Sequence, residues 1–597
     1  MSDEILTPEE ILSRRFVSSA NSVQIVTGFQ RYERPVYDHD AKFAPCRAGC
    51  PTGHDIATAL FLLSQGRPEL AHEVFRADSP FPAVTGRVCY HPCESVCNRG
   101  SHDQPLAINA LERALAEYGP LAPEAPAPIQ SDKTVGVIGA GPAGIACAYH
   151  VRRLGYAVTV YEANELPGGV LQYGIPPYRL PREVLARELT SLRKVGLEFR
   201  LGTRIGEHIG FGELRQKHEA LFVAVGLGRP RALDVVAGSM DCVDSGVAFL
   251  RAVSEGAAKR VSGTIAVIGG GDVAVDAARS ARRLGATRVT LCCLESRRDM
   301  PAHAEEVEAA LREGIEIING VVPTAVEGGP AKAVVTLARV RNVGRRPDGS
   351  MKWSLSSGTL EPLPAARVLC CLGQEPDCQF LPAECWENGR VAVDAFGQTR
   401  LPGVFAGGDL VGLYNVVNAL GSAKRAVVGI DSYLRGADSG QALPSIRLGD
   451  QGAFSMEAYR QWRAGAENLP SATEQVEVAD INLDYFPKAP RPHLPRLPRL
   501  HESQQDGSFS EVNLTLVEMQ ALAEAKRCFH CGLCNMCGNC LVFCPDSSVL
   551  PRDDWGFDID LDHCKGCGVC VEECPRDAMS MVPEHEVRDD GSDQPHD

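Results

Sequence analysis

Ten of the 23 cysteines in this 597-residue chain fall between Cys528 and Cys574, and eight of those ten repeat one pattern. Cys534, Cys537, Cys540 and Cys544, followed by Pro545, form a C-x2-C-x2-C-x3-C-P run. Cys564, Cys567, Cys570 and Cys574, followed by Pro575, form a second. Thiolates at this spacing hold [4Fe–4S] clusters, and in paired runs the fourth cysteine of each serves the other cluster. Cys534, Cys537, Cys540 and Cys574 are therefore expected to hold one cluster, and Cys544, Cys564, Cys567 and Cys570 the second. Zinc ribbons also use C-x2-C pairs, but two complete runs, each closed by proline, argue for iron–sulfur. Cys528 and Cys531 extend the first run upstream, either as spare thiols or as a shifted register.

A second kind of chemistry is carried by glycines. Gly139, Gly141 and Gly144 make a GxGxxG turn between an apolar strand and the helical "IACAYHVRRLG", with Pro142 and Ala143 inside it. The first glycine permits the tight turn, the second lets a pyrophosphate approach the backbone, and the third lets helix pack on strand. The helix N-terminus then offers N–H donors to the phosphates. Glu162 ends the next strand 23 residues after Gly139, where an acid hydrogen-bonds a ribose hydroxyl. The order repeats at Gly269, Gly271 and Ala274, enclosing Asp272 and Val273, so a second dinucleotide unit is expected. Glu295 lies 26 residues after Gly269, placed to hold a free 2′-hydroxyl, while Arg297 and Arg298 just beyond could clamp a 2′-phosphate. The acid at the strand end favours NADH over NADPH. "LPGVFAGGDLVG", with Gly408 and Asp409, resembles the second FAD motif of two-dinucleotide flavoproteins. "AVGLGRP", with Val225 and Gly226, resembles their middle motif. The first unit is thus read as an FAD site with the second inserted in it; the alternative for Asp409 is a cap on the helix beginning near Tyr414. No C-x2-C lies between the two glycine turns, which argues against a disulfide reductase.

The remaining composition limits the alternatives. With 60 Lys and Arg against 76 Asp and Glu the net charge is −16, the wrong sign for a nucleic-acid or anionic-membrane binder. There is no apolar run of ~18 residues to span a bilayer. The opening "MSDEILTPEE" has no secretory character, and two cysteine blocks at opposite ends suit ligation in a reducing, cytoplasmic setting better than a disulfide framework.

The other block, "PCRAGCPTGHDI…TGRVCYHPCESVC…AINALER", combines with GAGPAG, PGGVLQYGIPPYRLP (containing Gly169), GGGDVAVD, the MPA segment and the FAGGD ending. Together these resemble the glutamate synthase small-subunit family over roughly residues 40–435. With its fused ferredoxin-like module, the chain further resembles the branch serving other redox enzymes, such as the iron–sulfur flavoprotein paired with dissimilatory sulfite reductase and the electron-transfer subunits of aryl 2-oxoacid dehydrogenases. There are departures. Relatives with two N-terminal clusters carry an upstream CxxCGxPxC group where only Cys46 stands here, and Thr85 and Tyr90 replace a Cys and a Pro of the family's CGRVCP. One N-terminal [4Fe–4S] cluster is therefore expected, on Cys50, Cys89 and Cys93, with Cys97, Cys46 or Glu112 as fourth ligand. His54, His91 and His102 nearby are read as surface or hydrogen-bonded histidines. Where NADPH-using relatives carry an Arg-Arg pair ahead of MPA, Leu294 and Glu295 stand here, which again favours NADH.

The expected fold is an α/β two-dinucleotide-binding flavoprotein with an N-terminal helical iron–sulfur domain and a C-terminal ferredoxin-like α+β domain. Its divisions are an N-terminal domain over 1–130, the FAD domain over 131–245 and 373–435, and the NAD(P) domain over 246–372. An extended linker over 436–515, a two-cluster domain over 516–583 and a disordered acidic tail over 584–597 complete it. A nicotinamide gives two electrons and a cluster takes one, so a flavin must stand between them. The expected activity is an NAD(P)H oxidoreductase exchanging electrons with a larger redox enzyme or a ferredoxin-type acceptor, with a homodimer as a further option. A glutamate synthase small subunit is disfavoured by the extra module, and a cluster-storing or redox-sensing protein would leave both dinucleotide units unexplained.

Overall fold

The computed structural model describes residues 33–37, 42–118, 128–233, 235, 240–258, 260–329, 331–345, 351–449, 453–465, 474–492, 509–552, 556–584 and 587. The leading arm before residue 33, most of the proline-rich stretch 120–132 and the acidic tail beyond 587 lie outside them. Among the described residues, no helix is long and apolar enough to cross a membrane.

Two parallel five-stranded sheets form the centre. In the first, Thr134–Ile138 lies between Ala220–Val223 and Ala157–Tyr161, with Val404–Ala406 and Glu198–Arg200 outermost. Strands from 134–223 and from 404–406 share this sheet, so the FAD unit is assembled from two stretches of chain. In the second, Thr264–Ile268 lies between Arg288–Cys293 and Arg367–Cys370, with Glu316–Asn319 and Val243–Ser245 at the edges. Val243–Ser245 falls just before the expected division at 245/246 yet pairs inside the second sheet. Central strands are apolar throughout because helices cover both faces, as parallel sheets require; Val135, Val137 and Val267 are fully buried. An antiparallel meander over 321–365 is appended to the second unit.

The N-terminal domain is a set of short helices, Ile56–Ser64, Pro68–Asp78, Pro82–Val88 and Ile108–Tyr118. It packs closely on the FAD-domain helix Val416–Arg435: a Cβ at Gly421 would collide with the Pro51 carbonyl. Beside this contact the buried Lys424 ammonium meets Asp78 at 2.6 Å and donates to the Thr52 carbonyl.

The expected linker is not an open tether in its described parts. Met456 and Tyr459, on the helix Met456–Arg463, are buried against the FAD unit, and Glu474–Gln475 pairs with Lys42–Phe43. The C-terminal module is likewise tied down at both ends. Its helix Glu518–Ala525 packs on the N-terminal helices, and its last strand Met579–Pro583 pairs antiparallel with Glu33–Tyr37. Lys42 and Asp577 close this edge at 2.6 Å.

Candidate functional site

The first glycine turn is built as the spacing demands. Gly139 adopts φ +102°, which an L side chain rarely does, and a Cβ on Gly144 would fall on the Gly139 carbonyl. Gly141 precedes the helix Pro142–Arg153, and a Cβ there would meet only the Gly169 Cα, at 4.0 Å. The open side of this turn, faced by the amides of the helix start, fits a diphosphate. Glu162 is 5% exposed; its carboxylate accepts from the Ala140 amide and from the amide and side chain of Asn164, at 2.6–2.8 Å. An ionised carboxylate has further acceptor sites for ribose. Val225 and Gly226 follow the strand Ala220–Val223, with the Val225 Cα close against Gly139.

Gly408 (φ +69°) approaches Ala143 and donates its amide to Ser422 Oγ at 2.8 Å. Asp409 is half-buried, and burial pushes its carboxyl up to about 6. It does not cap the following helix: that role falls to Asn415, whose side chain accepts from the Asn418 amide at 3.0 Å. These features suit the flavin side of an FAD site.

In the second turn Gly269 adopts φ +138°, Ala274 is buried and Gly271 faces open space. Glu295 is half-buried against the turn, so that a Cβ on Gly270 would meet its Oε2 at 2.7 Å; Arg297 and Arg298 are exposed beyond it. Asp272, beside half-buried Val273, is engaged with protein: its carboxylate accepts from the His303 amide and lies 3.0 Å from His303 Nδ1. The His303 ring stacks on Tyr90, with centroids 3.1 Å apart, and Arg179 joins the Tyr90 hydroxyl to Asp276. Tyr90 adjoins Cys89, so the cysteine-rich domain touches the second dinucleotide unit directly.

Four groups of thiols follow. Cys534, Cys537, Cys540 and Cys574 line one small cavity together with Tyr37, whose hydroxyl donates to Cys540 Sγ at 3.2 Å. Cys544, Cys564, Cys567 and Cys570 line another. The crossed partners, Cys574 and Cys544, thus lie where the paired-run pattern needs them. Cys50, Cys89 and Cys93 line a third cavity with His54 and Glu112. Glu112 is 5% exposed, accepts from Thr85 Oγ1, and is pushed up to about 8 by burial. His54, expected at the surface or hydrogen-bonded, is 3% exposed with an unpartnered Nε2, and burial lowers it to about 4. His91 lies 3.3 Å from the Cys89 carbonyl and His102 2.8 Å from the Phe486 carbonyl.

Cys46 and Cys97, two of the three candidates for fourth ligand, do not line that cavity. They lie beside Cys528 and Cys531, which the sequence reading left unassigned. The separation of the two pairs along the chain concealed this. A C-x2-C just upstream of a ferredoxin run was the only available signal. Among the described residues no three His, Cys, Asp or Glu side chains close around a single ion.

A split FAD unit, an inserted nicotinamide unit and cysteine cages at both ends define an iron–sulfur flavoprotein oxidoreductase. Comparison with known proteins agrees. Residues 133–427 match the pyridine nucleotide-disulphide oxidoreductase family, 38–120 the 4Fe-4S domain II of dihydropyrimidine dehydrogenase, and 557–580 a 4Fe-4S binding domain. The chain is 36% identical over 527 residues to the beta subunit of NADP(+)-dependent formate dehydrogenase of Moorella thermoacetica, covering 82% of this chain and 70% of that protein. It is 33% identical over 414 residues to the PreT subunit of NAD-dependent dihydropyrimidine dehydrogenase of Escherichia coli K12 (67% and 93%). It is 30% identical over 420 residues to the glutamate synthase [NADPH] small chain of Azospirillum brasilense (65% and 86%). The chain belongs to the glutamate synthase small-subunit-like family of FAD/NAD(P) oxidoreductases with iron–sulfur domains.

Substituting Gly141→Ala tests the FAD cradle: the added methyl meets almost no protein but enters the diphosphate's space. The variant is expected to keep its far-ultraviolet circular dichroism and to purify with flavin content reduced about tenfold, roughly 1.4 kcal/mol of binding. Wild-type flavin content in the variant would remove Gly141 from the site.

Proposed function

We propose that this chain takes electrons from NADH at a bound FAD and exchanges them, through [4Fe–4S] clusters, with a larger redox enzyme. The observation that carries this reading is direct contact between the cysteine-rich domain and both dinucleotide units. Tyr90, next to Cys89, stacks on His303 of the nicotinamide unit, and Val417, at the start of the FAD-domain helix, lines the cavity holding Cys50, Cys89 and Cys93. Bound FAD would supply the conversion between two-electron hydride chemistry and one-electron cluster chemistry. The protein's part is to position and to exclude water: the amides after Gly141 would hold the diphosphate, Glu162 and Asp409 the polyol portions, and burial keeps solvent from Cys50 and Cys93, the thiols nearest the FAD-domain helix.

For the N-terminal cluster, Cys50, Cys89, Cys93 and Glu112 are proposed as ligands, because Glu112 lines their cavity while Cys46 and Cys97 do not. Cys534, Cys537, Cys540 and Cys574 are proposed for one C-terminal cluster and Cys544, Cys564, Cys567 and Cys570 for the other. NADH is proposed because Glu295 faces the second turn more closely than the exposed arginines do. Names of relatives divide on this, NADP for the Moorella protein and NAD for PreT. For the partner, dissimilatory sulfite reductase is proposed on the resemblance of the fused module.

Under anaerobic conditions NADH is expected to bleach the flavin faster than NADPH, and Glu295→Ala to lower kcat/KM for NADH about ten- to hundredfold, the loss of one charged hydrogen bond. A wild-type preference for NADPH would instead assign Arg297 and Arg298 to a 2′-phosphate; no bleaching by either nicotinamide would remove the oxidoreductase reading. Glu112→Ala should change the electron paramagnetic resonance signal of one cluster only, and an unchanged spectrum would count against Glu112 as a ligand. Anaerobic capture of the tagged chain from its native cell should bring down a larger redox enzyme. Recovering a 2-oxoacid dehydrogenase or a glutamate synthase large subunit would replace the sulfite reductase assignment, and recovering the chain alone would count against a subunit role.

A further inference from the structure

Cys46, Cys97, Cys528 and Cys531 meet although the chain between the second and third of them runs through every other domain. Cys46, Cys528 and Cys531 are buried in one apolar cluster, which also holds Cys50 and Cys93, and Cys97 packs against it. Asn98 Nδ2 bridges the two halves, donating to Cys531 Sγ at 3.5 Å and to the Val476 carbonyl at 2.9 Å. Cys46 has Cys97, Cys528 and Cys531 as its neighbouring thiols, and Cys528 has Cys531 and Cys97.

The local backbone at Cys528 is that of the ferredoxin runs. In Cys534-Asn535-Met536 and Cys564-Lys565-Gly566 the third residue is left-handed, with φ +60° and +67°, and its amide donates to the sulfur of the first. Cys528-Phe529-His530 repeats this turn: His530 has φ +53°, and its amide donates to Cys528 Sγ at 3.3 Å. So does Cys89-Tyr90-His91, with φ +41° and 3.2 Å. A non-glycine residue in this region is held there at a cost, and amide donors to sulfur are the means by which a protein tunes cluster thiolates. The amides of Leu106, Arg99 and Gly100 are directed at Cys97 in the same way.

We propose that Cys46, Cys97, Cys528 and Cys531 hold a fourth [4Fe–4S] cluster, in a cage completed by the segment that opens the C-terminal module. Its position explains its use. On one side, Cys46 lies on the same short stretch as Cys50 and within the field of Cys93. On the other, Gly532 donates its amide to the Arg576 carbonyl at 2.8 Å, and the Arg576 guanidinium is close to Cys528 as well as to Cys534, Cys537 and Cys574. The cage therefore bridges the N-terminal cavity and the ferredoxin pair. In transit it accepts one electron from the cluster on one side and yields one to the other, with no bond made and no proton moved. That role rests on the electron-transfer reading above; the ligand set does not.

The test is metal and sulfide analysis with Mössbauer spectroscopy on the anaerobically purified full-length chain. The wild type is expected to hold about sixteen irons and as many acid-labile sulfides, four clusters' worth. Cys528→Ser/Cys531→Ser and, from the opposite side of the cage, Cys46→Ser/Cys97→Ser should each hold about twelve. A wild type with about twelve irons, unchanged in both variants, overturns the proposal, as does about one zinc per chain that both variants lose. The wild-type count stands even if a variant fails to fold. Flavin bleaching by nicotinamide, measured separately on the wild type, reports on the electron-transfer reading: its failure beside a count of about sixteen irons would leave the cluster assigned and remove the relay.

Discussion

A buried ion network fastens the C-terminal segment onto the N-terminal domain, and the thiol cages depend on it. Arg99 is 2% exposed; its guanidinium pairs with Asp103 at 2.5 Å, donates to the Arg527 and Pro487 carbonyls, and lies over the Phe529 ring at 4.9 Å. Arg527 pairs in turn with Asp103 and Glu524, and Glu524 accepts the Ala107 amide. Taking four charges out of water is costly, and such a network is weak evidence of net stability. Its value is specificity. Phe529 sits between Cys528 and His530, so one guanidinium sets the placement of a cysteine turn against a loop 428 residues away in sequence. Every donor and acceptor in it is directional, where an apolar contact alone would tolerate a slip.

That constraint also shows what a linear reading could reach. The two glycine turns and both complete cysteine runs were legible because their chemistry is local: strand, turn and helix lie within about thirty residues, and the ferredoxin spacing already contains the crossing of the fourth cysteine. The split FAD unit was legible from the order of its motifs. The N-terminal ligands were not. Cys46, Cys50, Cys93 and Cys97 look equivalent in sequence, and only the fold shows that the inner two line a cavity with Cys89 while the outer two lie beside Cys528 and Cys531. The described parts of 436–515 were misread as a tether for a related reason. Tyr459 and Met456 are buried in the FAD unit's core, but the segment is too short and too rich in polar residues to show periodicity.

A recurring local device connects these sites. The same turn, with a left-handed residue two places after a cysteine and its amide on that sulfur, occurs in the N-terminal domain, at Cys528 and in both ferredoxin runs. At three of these four positions the left-handed residue is His or Met rather than glycine. The strain is tolerated because flanking contacts hold the turn in place: His530 is buried, with Nδ1 3.2 Å from the Ala57 carbonyl, and His91 reaches back to the Cys89 carbonyl. Substitution by glycine would relieve the strain but release those contacts, so the turns are set by tertiary packing as much as by local preference.

The arrangement also accounts for the chain's unusual connectivity. The nicotinamide unit is an insertion within the FAD unit, and the N-terminal domain touches both. The ferredoxin module, by contrast, is anchored at its start by the helix Glu518–Ala525 and at its end by the strand pairing with Glu33–Tyr37. Both anchors belong to the N-terminal part of the chain. On the proposed function, the N-terminal cysteines therefore stand between the flavin and the ferredoxin module. A ferredoxin domain joined by a free linker would need to find its donor by diffusion. Here the two ends of the polypeptide close on each other, and the cage at Cys46, Cys97, Cys528 and Cys531 lies at the seam, where neither end alone supplies a full set of ligands.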